Sequence, residues 1–153
     1  MREKIYRGLP LLLAAAVAAF SAWMLWPRSL AGAFDAQGGL SVTVITSGVE
    51  VADMNSRPYQ NAEDYTVGAL SPESEAIGEL LEEYSYRLCW ESLTEKSLIE
   101  NIGNVSVQLY GPEGDFSVFS GTGKVRLNGR TFYLTGGRSA ALCEALTALL
   151  RGA

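Results

Sequence analysis

The side chains that could do chemistry are restricted by the absence of histidine from this 153-residue chain. Without histidine there is no base for a Ser-His-Asp or Cys-His nucleophile, and the usual histidine-ligated zinc sites are excluded. Two cysteines are too few for a four-thiolate metal site. We therefore predict no metal centre and no cofactor, and paired carboxylates are the catalytic groups that remain.

Cys89 and Cys143 are the only thiols in the sequence, and three roles are open to them. A disulfide between them would close a loop of about 54 residues and contribute roughly 4 kcal/mol in the chain-entropy model. Alternatively both are buried free thiols, because Cys143 falls on the apolar stripe of a predicted helix. A nucleophilic cysteine would need activation by an arginine or a helix terminus.

A group of basic and aromatic residues on one predicted hairpin is the candidate binding surface. This hairpin patch consists of Lys124, Arg126, Arg130 and Tyr133. On an acidic body, such a patch would suit an acidic or anionic partner. The alternative is an exposed sheet face of ordinary mixed charge.

The hairpin that carries the patch has the clearest local signal in the chain. Asn128-Gly129 is typical of a type I′ turn between two short strands. Folding about this turn pairs Val125 with Phe132 and gives the hairpin one apolar face.

The N-terminus predicts a membrane-spanning helix. Arg2, Lys4 and Arg7 precede an uncharged run of 19 residues, 8–26, that is rich in leucine and alanine. At 1.5 Å per residue this run spans about 28 Å, close to the hydrocarbon thickness of a bilayer. The basic flank predicts a cytoplasmic N-terminus, an exported body and contact with the lipid bilayer through residues 8–26.

Cleavage is the competing interpretation of the N-terminus. Ala31-Gly32-Ala33 matches a small-residue signal-peptidase site, and cleavage after Ala33 would release a secreted chain beginning at Phe34. The apolar run is longer than that of most signal peptides, which favours a single-pass anchor in the cell membrane. We divide the chain into an export segment, anchor and tether (1–33) and an extracytoplasmic domain (34–153).

The charge of the predicted body excludes one class of partner. Residues 34–153 include 8 basic and 16 acidic side chains, a net charge of −8. Because phosphate backbones are bound through an excess of lysine and arginine, we predict no nucleic-acid partner.

Two predicted helices frame the body. Ser71 and Pro72 are typical of a helix start, and apolar residues follow at helical spacing as far as Tyr84. Ser139 is predicted to cap a last helix, whose apolar positions recur up to Leu150.

Alternating and polar stretches predict the rest of the body. Residues 31–39 are predicted as a short tether, Ser47-Gly48 as a turn and the polar stretch 53–64 as a loop. Residues 86–90 alternate as a strand would. The predicted fold is α+β, an antiparallel sheet of about five to six strands with two amphipathic helices on one face, preceded by one N-terminal transmembrane helix.

This layout, with Asn128-Gly129-Arg130 and Tyr133 in a late hairpin before the last helix, resembles one group of known proteins. These are the small membrane-anchored extracytoplasmic domains of unknown function from Firmicutes. The resemblance covers most of residues 40–150 and implies a bacterial setting, but no activity.

We predict a non-catalytic, membrane-anchored extracytoplasmic domain that binds a protein or envelope partner. One alternative is a small-molecule or cation-binding module that uses the acids of segment 53–64. Another is a carboxylate-dependent envelope hydrolase, which needs two carboxylates about 5–10 Å apart across a cleft.

Overall fold

The computed structural model describes residues 2–52, 55–94 and 102–152. These residues form an antiparallel sheet of eight strands with four α-helices. The predicted α+β class and antiparallel sheet are confirmed. The predicted strand number of about five to six is wrong, because one two-residue strand and one long polar strand lack the alternation used to recognise strands.

The elements follow one another in the order α1 (Arg2–Leu25), β1 (Arg28–Ser29), β2 (Leu40–Ala52), β3 (Asn55–Val67), α2 (Pro72–Glu82), β4 (Ser85–Arg87), α3 (Trp90–Thr94), β5 (Val105–Gly111), β6 (Gly114–Phe119), β7 (Lys124–Leu127), β8 (Arg130–Leu134) and α4 (Ser139–Arg151). In the sheet the strand order is β1-β4-β8-β7-β6-β5-β2-β3. The two strands that end the sheet are therefore the shortest, β1, and one of the longest, β3.

The hydrophobic core lies between this sheet and two of the helices. Helix α4 packs on β5 and β6, and α2 packs against α4. The core side chains with no exposed surface come from both helices, from five strands and from the segment after β1, namely Leu30, Val42, Ile77, Leu81, Val107, Leu109, Phe116, Val118, Val125, Leu134, Leu142 and Leu146. This burial is the main force that holds the layers together.

Helix α2 begins as predicted, and α4 does not. The Ser71 hydroxyl accepts a hydrogen bond from the backbone N–H of Ser74 at 3.2 Å, and Pro72 is the first helical residue. Ser139 is not a cap: it is already helical, and its hydroxyl accepts instead from the Gly123 N–H at 2.9 Å. The cap prediction fails because a tertiary partner takes the hydroxyl.

The β7–β8 hairpin is confirmed in turn and register. Val125 lies opposite Phe132. Asn128 and Gly129 have φ values of 49° and 77°, which the type I′ turn requires. The Asn128 side chain also accepts from the Asp115 N–H at 3.0 Å and so fastens the turn to β6.

The predicted loop 53–64 is wrong over the part that the structure describes, because residues 55–64 belong to β3. Ser47-Gly48 is no turn either, since β2 runs through it to Ala52. Among the described residues β3 pairs with β2 alone, so Pro58 sits on an edge strand, where a missing N–H is tolerated. The predicted strand 86–90 ends early, at Arg87, and Trp90 begins α3.

The predicted tether carries core residues. Leu30 is fully buried, and Phe34 and Ala36 are 5% and 3% exposed. The Leu30 N–H donates to the carbonyl of Tyr84 at 3.1 Å, which extends the pairing of β1 with β4. Residues 28–36 are thus packed against the body.

No helix in the described ranges is both long enough and apolar enough to cross a membrane, so the predicted N-terminal transmembrane helix is not confirmed.

Candidate functional site

Helix α1 exposes apolar side chains in every direction. All residues from Leu9 to Trp23 are exposed, and neighbouring positions such as Leu11 and Leu12 are 73% and 70% exposed. Because successive helical residues point about 100° apart, the apolar surface surrounds the helix.

Arg28 joins α1 to the sheet. Its guanidinium donates to the carbonyl oxygens of Trp23 at 3.3 Å and Trp26 at 3.4 Å, and lies 5.7 Å from the centre of the Trp23 ring. A cation at this end complements the helix dipole. Only Trp26 and Pro27 separate α1 from β1, where Arg28 lies opposite Tyr86. Helix α1 is therefore joined to the sheet by only two residues.

Three residues of the hairpin patch share one face of the sheet. Lys124 lies directly opposite Tyr133, and Arg126 lies opposite Thr131 on the same face. Arg130 pairs with Leu127 beside the turn, and the alternation of side chains places it on the other face. The structure thus brings Lys124, Arg126 and Tyr133 together and separates Arg130 from them.

Two residues that the sequence does not single out complete this face. The Arg87 guanidinium lies 4.6 Å from the centre of the Tyr133 ring. The Lys124 ammonium donates to the Glu91 carboxylate at 2.7 Å, and this hydrogen bond helps to lower the pKa of Glu91 from 4.5 to about 2. No local pattern predicts either contact, because they depend on how β4 and α3 dock beside β8.

The two cysteines are free and lie far apart. The Cys89 sulfur donates to the carbonyl of Thr131 in β8 at 3.4 Å, and the Cys143 sulfur is 3.8 Å from the carbonyl of Val105 in β5. Three strand spacings of about 4.8 Å separate β8 from β5, whereas a disulfide needs Cα atoms within about 7 Å. The bridge considered from the sequence is therefore not formed.

The reactivity of Cys143 is low. It is 1% exposed, and burial raises the pKa of its thiol to about 12. Since the thiolate is the nucleophile, this environment suits a packing role.

The acids of segment 53–64 are engaged with their neighbours. Arg151 donates to both carboxylate oxygens of Glu63, at 2.7 and 3.1 Å, and Tyr65 donates at 2.6 Å. These bonds lower the pKa of Glu63. Asp64 accepts from the Thr43 hydroxyl at 2.7 Å. Asp53 lies outside the described residues.

Two surface grooves of about 440 Å³ each flank the helices. One is mostly apolar, between α4 and the start of β5, with Cys143 in its wall. The other is acidic, between α2 and the segment 31–37, and includes Asp35 and Glu79. Within the described ranges, no group of three or more acidic or cysteine side chains is arranged to hold a metal ion.

Comparison with known protein families, with characterised proteins and with solved structures finds no match for the chain.

Proposed function

We propose that this protein is a membrane-anchored extracytoplasmic binding domain, held in the bilayer by residues 8–26 and recognising a protein or envelope partner through its sheet. The observation that carries the proposal is α1, which exposes apolar side chains on every side and continues into the sheet after two residues.

The exposed apolar surface of α1 favours lipid over water. Nine large apolar side chains between residues 9 and 26 are at least half exposed, namely Leu9, Leu11, Leu12, Leu13, Val17, Phe20, Trp23, Leu25 and Trp26. Burying one such side chain is worth about 1.5–3 kcal/mol. The two tryptophans and Arg28 stand at the end of the run, as residues at a bilayer interface do.

The packing of residues 28–36 supports retention of α1 over cleavage after Ala33. Cleavage there would remove β1 together with Leu30, a fully buried core residue.

Membrane attachment is tested on the full-length chain in its host. We expect it in the membrane fraction, resistant to alkaline extraction, with peptides from residues 1–33 intact in mass spectra. Leu12→Arg combined with Val17→Arg should release the protein, because two charges in the run disfavour insertion. The control is Leu70→Arg, since Leu70 is 79% exposed on the body. A soluble wild type, or equal partition of both variants, would contradict the proposal.

For the partner we propose the sheet face that carries Lys124, Arg126 and Tyr133. Lys124 is already paired with Glu91 on this face, but its two arginines, Arg87 and Arg126, stand on a body of net charge −8, which favours an anionic or acidic partner at this position. The aromatic ring of Tyr133, with Arg87 above it, adds the residue types enriched in binding surfaces.

Crosslinking in the host, followed by affinity purification and mass spectrometry, tests this face. Arg126→Glu should reduce recovery of the partner at least tenfold. Arg130→Glu is the matched control, because it reverses one charge of the same hairpin on the other face. Equal recovery from both variants and wild type, with both variants folded, would remove this face from the proposal. The same experiment addresses the alternatives, since recovery of the chain alone favours a small-molecule or cation module or the envelope hydrolase.

A further inference from the structure

Helix α3 turns its polar side to the protein and its apolar side to the surroundings. The Ser92 hydroxyl donates to a backbone carbonyl of β8, and Glu91 pairs with Lys124 in β7. Trp90 and Leu93 lie three residues apart on the opposite side of the helix and are 69% and 39% exposed. A surface helix normally packs its apolar side on the core. The inverted orientation of α3 therefore leaves its apolar surface open.

The strand directions place this apolar surface at the end of the body where α1 enters. Strand β4 is antiparallel to β1, and Tyr86 lies opposite Arg28. Because β1 leads away from α1, β4 runs back toward it, and Trp90 follows Tyr86 by at most about 14 Å of chain. Cys89, immediately before α3, contacts the carbonyl of Thr131 at the start of β8, which is the same end of the sheet.

The three tryptophans of the chain all lie near this end. Trp23 and Trp26 stand at the end of α1 and are exposed. Helix α1 projects from the body, since residues 9–23 are all exposed. Tryptophan is enriched at the interface between bilayer and water, because its ring is apolar and its N–H is polar. Trp90 thus has the residue type, the exposure and the position of an interfacial side chain.

The two strands next to α1 have the charge that an anionic lipid surface attracts. Strands β1 and β4 contain Arg28 and Arg87 and no acidic residue, although the body as a whole has a net charge of −8. Arg28 contacts carbonyl oxygens and Arg87 contacts an aromatic ring. These groups are neutral, so both guanidinium groups keep the charge that draws basic residues to anionic headgroups.

We propose that α3 is a second membrane contact, in which Trp90 and Leu93 lie in the interfacial region of the bilayer that α1 enters. This inference rests on the proposed attachment through α1 and adds the part of the body that touches lipid. The connection of two residues between α1 and β1 keeps α3 close to the bilayer whenever α1 is inserted. That proximity favours lipid over a protein as the group that covers the apolar side of α3.

Fluorescence quenching by lipid tests the contact on the full-length chain in vesicles of phosphatidylcholine and phosphatidylglycerol brominated in the upper acyl chain. Trp23→Phe with Trp26→Phe leaves Trp90 as the single tryptophan. Trp26→Phe with Trp90→Phe leaves Trp23, which reports on α1. The control replaces all three tryptophans by phenylalanine and adds Thr135→Trp, because Thr135 is exposed and follows β8 at its other end.

We expect lipid bromine to quench Trp90 about threefold or more above the Thr135→Trp control, because only Trp90 would lie at the interface. Trp90 should also be shielded from acrylamide in the aqueous phase. Circular dichroism checks that each variant is folded. Shielding from acrylamide without quenching by lipid would show that protein covers Trp90, and would overturn the proposal.

A charge on the apolar side of α3 tests its role directly. Leu93→Glu in the chain with Trp90 alone should lower the quenching by lipid about twofold or more, because a carboxylate disfavours the interface. Leu70→Glu is the matched control, since it replaces an exposed leucine elsewhere on the body. Equal quenching in both variants would contradict a contact through this side of α3.

The outcomes separate this proposal from that of the anchor. If lipid quenches Trp23 but leaves Trp90 at the level of the Thr135→Trp control, α3 is no membrane contact and the attachment through α1 stands. If Trp23 is not quenched either, the attachment itself fails, and the contact of α3 fails with it. Quenching of both Trp23 and Trp90, with the loss expected for Leu93→Glu, would establish the second contact.

Discussion

Gly103 lies where the backbone at the end of β6 passes too close to leave room for a side chain. It has a φ of 75°, and a Cβ added there would collide with the Ser120 hydroxyl and the Gly121 backbone nitrogen. The Gly121 N–H donates to the carbonyl of Ile102 at 3.3 Å, so this close approach holds the entry to β5 against the end of β6. Neither segment can shift without breaking that bond.

We expect Gly103→Ala to lower the unfolding free energy by about 2–4 kcal/mol, the sum of steric overlap and left-handed backbone strain. Gly129→Ala is the control, because Gly129 has a φ of 77° but no atom within 4 Å of the added Cβ. Gly129→Ala should lower the unfolding free energy by only about 1–2 kcal/mol. Denaturant titration of the two variants measures the difference, and equal losses would show that the collision is relieved at no cost.

For single residues, the two cysteines show which features can be predicted from the sequence and which cannot. The placement of Cys143 on the buried stripe of α4 follows from helical spacing alone, and the structure confirms that burial. The contact of Cys89 with β8 could not be predicted, because it depends on a strand 42 residues further along the chain.

Among the helices and strands, those fixed by short-range sequence signals are predicted correctly, whereas those that depend on long-range contacts are missed. The β7–β8 hairpin is predictable because a two-residue turn fixes its register locally. Strand β3 is missed because Pro58 and its polar side chains resemble a loop, and only its pairing with β2 makes it a strand. The hairpin patch is predicted in part, since alternation places Lys124 and Tyr133 together but also separates Arg130.

Helix α3 is joined to β7 by the ion pair of Glu91 with Lys124, and this contact makes stability depend on pH. The hydrogen bond from Lys124 is the largest cause of a Glu91 pKa lowered from 4.5 to about 2. A carboxylate with a lowered pKa stabilises the folded state fully above its unfolded pKa, and loses that contribution as the pH falls through the folded pKa. The sensitive window therefore runs from about pH 4.5 down to about pH 2.

We expect Glu91→Gln to lower the unfolding free energy at pH 7 by about 0.5–1 kcal/mol, because both side chains are partly exposed. The difference from wild type should shrink below pH 4.5 and vanish near pH 2. In a Lys124→Met background the effect of Glu91→Gln should be smaller at pH 7, since the main partner is gone. A difference that stays constant with pH would refute the coupling. Denaturant titrations at several pH values provide the measurement.

For the whole molecule, the connection between α1 and the sheet decides how the body is held. A flexible tether would let the body rotate freely above a membrane, but here only two residues lie between α1 and β1. Arg28 contacts both sides of this junction, through Trp23 and through its pairing with Tyr86. If α1 is anchored, the edge formed by β1 and β4 is the part of the body nearest the bilayer.

The segment 28–36 should therefore behave as part of the folded body in truncated chains. A chain of residues 27–153 keeps β1 and Leu30, whereas a chain of residues 34–153 loses both. Because Leu30 is fully buried, its loss alone should cost about 2–5 kcal/mol, and the unpaired edge of β4 adds to this. Denaturant unfolding of the two truncated chains measures the difference, and Leu30→Ala in the longer chain isolates the side-chain part.

If residues 34–153 were as stable as 27–153, β1 would be dispensable, and cleavage after Ala33 would leave an intact domain. If residues 34–153 are less stable, cleavage after Ala33 would leave a destabilised body, and that outcome would favour retention of α1.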